Sequence, residues 1–207
     1  MFSPGHLDKI YISGKLTSED WKKLKFKIEK YNDLDTWAEA YNSFLWNRLN
    51  TRYLSPIGIL QKHGNFEGEG YSIVSIQCAL IEFIAALRVG KSYVFSRNPQ
   101  NNEYSRSKDL YINFLSKAPI FKDFFDEESA LEFYVSIRCA LLHEACTKNG
   151  WRIWAFGDIP INSRSKIVFR EKLHDTILTY LENYKAELLK NPEIQSAFIR
   201  KFDSLCE

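Results

Sequence analysis

Glycine is scarce in this chain, nine in 207 residues, which argues against a loop-rich protein. No stretch is long and apolar enough to read as a membrane span. The longest run without a charge, Gly70 to Ile81, falls well short of the ~18 apolar residues needed. The N-terminus MFSPGHLDKI lacks the basic-then-apolar order of a secretory signal, so a cytoplasmic protein is expected. The four cysteines, Cys78, Cys139, Cys146 and Cys206, form no C-x-x-C pair and no disulfide framework, and read as reduced, small apolar groups. Charge of either sign is not in excess: 28 Lys and Arg against 26 Asp and Glu leave +2, so overall charge selects no partner and any nucleic-acid surface must be a local patch.

What the chain does have is a near-average composition, 45% hydrophobic and 26% charged, which excludes disorder and fibrous repeats. A chain this long buries about 70% of its unfolded surface. Aromatic residues make up 15%, with 15 Phe, 11 Tyr and 5 Trp to fill a core and an interface. No internal repeat and no low-complexity segment is present.

Helical periodicity dominates. Thr17 to Asp20 offer cap residues before Trp21, Leu24, Ile28 and Tyr31, with lysines over much of the remaining surface. A second helix is expected from Asp33 or Asp35 to about Asn50, burying Trp37, Tyr41, Phe44, Leu45 and Leu49 and forming a hairpin with the first. Ser55 to Gly70, with one proline and four glycines, reads as a loop or boundary. From Tyr71 to Val89 the run YSIVSIQCALIEFIAALRV is apolar nearly all round, a buried central helix ended by Gly90. Lys91 to Ser107 reads as a polar loop, followed by a short helix and a partial one on either side of Pro119. Asp126 to Glu128 place acid at the start of a strong helix through Leu131, Ile137 and Leu142. WRIWAF and KIVFR flank turn-like residues and predict a small β-hairpin. Two further helices, from about Glu171 to Lys190 and after Asn191-Pro192, close the chain.

Chemistry concentrates in the strong helix, where Arg138 and His143 form an R-x4-H pattern. At ~100° per residue the two project about 140° apart and flank a shared face. A guanidinium offers a permanent charge and a planar fork for phosphate oxygens, and an imidazole can exchange a proton near neutral pH. Together they suit metal-free RNA cleavage, in which the ribose 2′-OH attacks the adjacent phosphorus.

The buried helix with Glu82, the helix FYVSIRCALLHEA and the helix that follows resemble the HEPN superfamily, over roughly residues 71–190. The resemblance implies an up-and-down helical bundle that homodimerises through the motif helix. The two motifs would meet as one composite, metal-independent endoribonuclease site, in a toxin or phage-defence effector that has RNA as substrate and an antitoxin or other regulatory partner. It carries Arg138 and His143 over as catalytic residues, with Glu82 as the acid that orients Arg138. Ala145 stands where the subset controlled by a nucleotidyltransferase antitoxin has tyrosine, which disfavours that partner. The fold expected is therefore mostly α, a HEPN-like bundle over 71–207 with an N-terminal helical extension over 1–70 and a small β-hairpin. No cofactor and no metal is expected.

Other readings of the same residues stay open. Cys139 stands where many active members carry a polar residue, and the alternative function is a catalytically silent HEPN module serving dimerisation or RNA and partner binding. Arg138 would then form a structural ion pair with Glu82 or Glu144, with His143 a helix-end histidine. Cys139, His143 and Cys146 also fall within about 60° on one helix face, three ligands of a zinc site that lacks a fourth. Lys148 and Arg152 near the motif, and Arg88 and Lys91 after the buried helix with Arg97, Arg106 and Lys108, are the candidate RNA-backbone contacts. The lysine face of the first helix is a further candidate for that backbone, with a solvated charged face the favoured reading. Trp151 and Trp154 pack on the bundle or stack a base. His6, His63 and His174 are isolated, and Gly68-Glu69-Gly70 lacks the strand and further glycine of a dinucleotide fingerprint.

Overall fold

The computed structural model describes residues 9–207; the N-terminal segment read for a signal, and His6 within it, lie almost wholly outside the described residues. Among the described residues seven helices carry most of the chain, so the mostly α class stands, together with a small β-hairpin. Strands β1 (Tyr11–Ser13) and β2 (Leu16–Thr17) pair antiparallel and lead into α1 (Ser18–Tyr31). The Asp20 carboxylate accepts from the Thr17 amide at 2.9 Å and the Thr17 hydroxyl at 2.8 Å, which fixes the start of the helix. Trp21, Leu24 and Ile28 are buried as expected, whereas Tyr31 is exposed because the helix ends there, Asn32 turning left-handed with φ 46°.

The second helix, α2, is longer than its sequence predicts and runs over residues 34–63. Its expected stripe, Trp37, Tyr41, Phe44, Leu45 and Leu49, is buried. Of the loop read from Ser55 to Gly70, Ser55–His63 is instead the last part of this helix, and residues 64–68 form the break before the next helix. Pro56 would clash with a carbonyl one turn earlier in a regular helix, and the π-helical turn Asn50–Leu54 widens the backbone just before it. Ile57 then anchors the extension in the core, while nothing lies within 4 Å of the side-chain position at Gly58. α1 and α2 form the predicted hairpin, and Trp21 ties it to the end of the chain. Its ring lies 6.0 Å from Phe198 and 5.1 Å from Phe202, and its Nε1 donates to Asp203 at 2.8 Å. One core runs from Ile12 to Phe202.

Helix α3 (Glu69–Val89) is the central element and packs against α2 and against the helices Lys108–Lys117, Arg170–Leu188 and Pro192–Ser204. Contrary to the sequence reading, which counted only the uncharged run Gly70 to Ile81, it is by length and composition long and apolar enough to cross a membrane, yet more than half of that apolar window is buried inside the protein. Gly90 ends it with φ 67°, where a Cβ would lie 2.8 Å from the Ala197 backbone. The expected loop from Lys91 holds two short strands, β3 (Ser92–Tyr93) and β4 (Glu103–Tyr104), paired in parallel. Then come α4 (Lys108–Lys117) and a 3₁₀ turn at Phe121–Asp123. The motif helix, α5, spans residues 127–144.

Strands β5 (Arg152–Trp154), β6 (Ile161–Asn162) and β7 (Ile167–Phe169) form one sheet in the order β5-β7-β6. The two segments predicted to make a hairpin are neighbours but run parallel; the antiparallel partner of β7 is β6, in the stretch read as a turn. The dozen or so residues between β5 and β7 allow a crossover, which a parallel pair requires. Helices α6 (Arg170–Leu188) and α7 (Pro192–Ser204) complete the bundle, with Asn191 capping α7 through the amides of Glu193 and Ile194. At the start of α6 the buried Arg170 guanidinium donates to Glu69 at 2.8 Å, joining it to α3.

Candidate functional site

Helix α5 starts at a capping box in which the Asp126 carboxylate accepts from the Ser129 hydroxyl and amide, contacts that hold it below the usual aspartate range. Its middle, Tyr134–Cys139, is π-helical, a geometry that recurs where a helix serves a site. Arg138 lies in that widened turn. Its Nη2 donates to Glu82 Oε2 on α3 at 2.7 Å, and its guanidinium lies 5.5 Å from the Tyr134 ring. Burial works against the Arg138 charge, and the hydrogen bond and charge of Glu82 outweigh it and raise its pKa. The Tyr104 hydroxyl donates to the other Glu82 oxygen at 3.4 Å.

Glu82 and Arg138 line a cleft of about 390 Å³ between α3, α5, α7 and the β3–β4 pair. Its apolar wall includes Cys78, Ala79, Phe83 and Leu141. Burial pushes the Cys78 thiol up to about 12, so it faces the cleft as a neutral group. Of the three residues carried over by resemblance, then, Arg138 and Glu82 come together. His143 does not join them: it is exposed in the last turn of α5 and is not among the residues lining the cleft. Just beyond it Ala145 turns left-handed, φ 54°, and ends the helix.

Three apolar residues of α5 face away from the core, beside exposed Glu128, His143 and Glu144. Leu131, Val135 and Leu142 are 37%, 45% and 64% exposed, on one side of the helix by their spacing of four and seven. Cys139, His143 and Cys146 do not converge with other ligands: among the described residues no group of three or more His, Cys, Asp or Glu could hold a metal ion.

The basic candidates fall in separate places. Arg88 is half-buried and paired, with Glu187 at 2.9 Å and the Tyr180 hydroxyl at 3.1 Å. With Lys91, Arg97, Arg106 and Arg200 it lines a second, larger cleft of about 1130 Å³. Tyr104 lines both clefts. Lys148 is exposed and paired with Glu144 at 2.9 Å, and Arg152 extends over Trp154 at 5.7 Å. The lysine face of α1 is largely matched to carboxylates: Lys22 to Glu19, Lys23 to Asp20, Lys25 to Asp203, Lys27 to Glu39. Trp151 is buried against Phe133, and Trp154 is half exposed.

Among the residues of the first cleft not singled out from sequence are Tyr104 and Lys201. Tyr104 sits in a stretch read as loop, and no local signal marks it. Lys201 on α7 carries one: it follows Ile194 by seven and Phe198 by three, a core-facing position, and it is indeed 5% exposed. No family model, curated protein or solved structure matches the chain.

Proposed function

We propose that the protein is a metal-independent, cytoplasmic endoribonuclease of the HEPN type that acts as a homodimer on RNA. The observation that carries this reading is the division of the motif within one chain: Arg138 is held by Glu82 in a cleft, while His143 stands exposed further along the same helix. A second copy laid against the exposed face of α5 would bury Leu131, Val135 and Leu142 and bring two motif helices together, which is what a composite site needs. Glu82 and Tyr134 fix the Arg138 fork beforehand, so it meets a phosphate without reorganising.

In the reaction His143 takes the proton of a ribose 2′-OH as the oxygen attacks the neighbouring phosphorus. Arg138 stabilises the charge gathering on the phosphoryl oxygens. The P–O5′ bond breaks, and the departing oxygen takes up a proton, leaving a 2′,3′-cyclic phosphate and a 5′-hydroxyl. Lys148, Arg152, Arg88 and Lys91 would contact the RNA backbone at a distance from the chemistry. The second reading, a silent module for dimerisation or binding, draws on the fact that Arg138 is already satisfied by Glu82. Incubation of wild type and His143→Ala with mixed-sequence RNA separates them: cleavage by wild type alone supports the nuclease, and equal cleavage by both overturns it.

A further inference from the structure

Lys201 is the buried charge that the ribonuclease reading leaves unused. It is 5% exposed, and its ammonium donates to the Lys91 carbonyl at 2.9 Å and lies 5.4 Å from the Phe83 ring centroid. The Arg48 guanidinium lies 5.6 Å from the same ring. Among the described residues no carboxylate stands within ion-pair distance of Lys201. A buried ammonium with one carbonyl partner keeps most of its desolvation penalty and is a group waiting for an anion. The cleft supplies the route, because Lys201 lines it together with Arg138. Apolar walls around both cations strengthen their attraction for a charge placed between them.

We propose that Lys201 and Arg138 form a two-cation seat for one phosphate of an RNA backbone, Lys201 as a point charge and Arg138 as a fork. This rests on Arg138 being the phosphate-binding residue of the proposed function. Burial and then Arg48 push Lys201 down to about 8, with Glu82 acting the other way, so the seat should empty as pH rises. Arg48 from α2 acts on Lys201 from outside the cleft, and the titratable groups that line the cleft beside it are Glu82 and Cys78 from α3, Tyr93 and Tyr104 from β3 and β4, and Arg138 from α5. Burial, then Arg52, lowers Arg48 to about 10, and burial raises Cys78 and Tyr104, so these keep their charge states up to about pH 9.

The probe is a fluorescein-labelled, mixed-sequence 2′-O-methyl RNA decamer, which lacks the attacking hydroxyl and reads binding apart from cleavage. Wild type should lose affinity by up to about tenfold between pH 7 and 9, the size of one charged hydrogen bond. Lys201→Met should bind about tenfold more weakly at pH 7 with little further loss, and Lys201→Arg should bind as wild type does at pH 7 and stay flat to pH 9. Melting curves confirm that each variant is folded; should Lys201→Met not fold, Lys201→Arg and the wild-type profile still decide. Equal, pH-independent binding by wild type and Lys201→Met overturns the proposal, as does failure of wild type to bind the decamer. Stabilisation by inorganic phosphate that depends on Lys201, without RNA binding, assigns the seat to free phosphate and overturns the RNA backbone as its source. Lys201-dependent binding without cleavage of unmodified RNA keeps the seat and overturns the nuclease.

Discussion

Replacing Lys201 with methionine should make the protein more stable at neutral pH, the reverse of what a core substitution usually does. The methionine keeps a long unbranched side chain and removes the charge. The folded protein holds this ammonium at about 8, against 10.5 for an ordinary lysine. At about 1.4 kcal/mol per tenfold, that disfavours the charged form by about 3 kcal/mol. Loss of the hydrogen bond to the Lys91 carbonyl at 2.9 Å returns about 1 kcal/mol, leaving a gain of about 2 kcal/mol. For a chain of 207 residues that corresponds to a Tm higher by about 4 to 8 °C. The sign has a pH signature. Between about 8 and 10.5 the unfolded chain holds a proton that the folded one has released, so wild type gains stability as pH rises and the variant's advantage shrinks across that window. Thermal unfolding followed by circular dichroism in phosphate-free buffer at pH 7 and pH 10 measures both. A Lys201→Met protein less stable than wild type at pH 7, or an advantage unchanged at pH 10, would refute the reasoning.

Glu82→Gln removes the carboxylate from Arg138 at 2.7 Å in a largely buried pair, and should lower stability by about 1 to 3 kcal/mol, read as a lower denaturant midpoint. His174 is held below its ordinary value by burial against the pull of Asp175, and its Nδ1 has no partner. The unfolded chain therefore takes up a proton first as pH falls below about 6.5, stability falls with it, and His174→Leu should flatten that acid slope in melting curves. Gly90→Ala puts a Cβ 2.8 Å from the Ala197 backbone at a φ of 67° and should cost about 3 kcal/mol or prevent folding; a change within 0.5 kcal/mol would contradict the close approach of α3 and α7. In the proposed homodimer Leu142, 64% exposed on the motif helix, lies in the interface: wild type should sediment as a dimer and Leu142→Glu as a monomer in analytical ultracentrifugation, with the Tm of the protomer not lowered.

Helical periodicity made the bundle legible because each apolar stripe is set by one helix alone. The stripes of α1 and α2, the all-round apolar α3 and the start of α7 after Asn191-Pro192 appear where the sequence puts them, apart from Tyr31 at the end of α1. Two features escaped for different reasons. The helix through Pro56 needs the π-helical turn just before it, a backbone geometry that the proline masks in the sequence, and the order of β5, β7 and β6 depends on a crossover between distant segments that no local pattern encodes. The Glu82–Arg138 contact was foreseen, because both residues carried the resemblance. Lys201 was legible in principle as a lysine on an apolar face of α7, while the Tyr104 contact with Glu82 spans 22 residues and a stretch without periodicity.

The central claim is metal-independent RNA cleavage by Arg138 and His143, and the direct measurement is the chemistry of the product ends formed in EDTA. Wild type should yield 2′,3′-cyclic phosphate and 5′-hydroxyl ends, with Arg138→Ala and His143→Ala yielding none. RNA left intact by wild type, or cleaved alike by all three proteins, would contradict it.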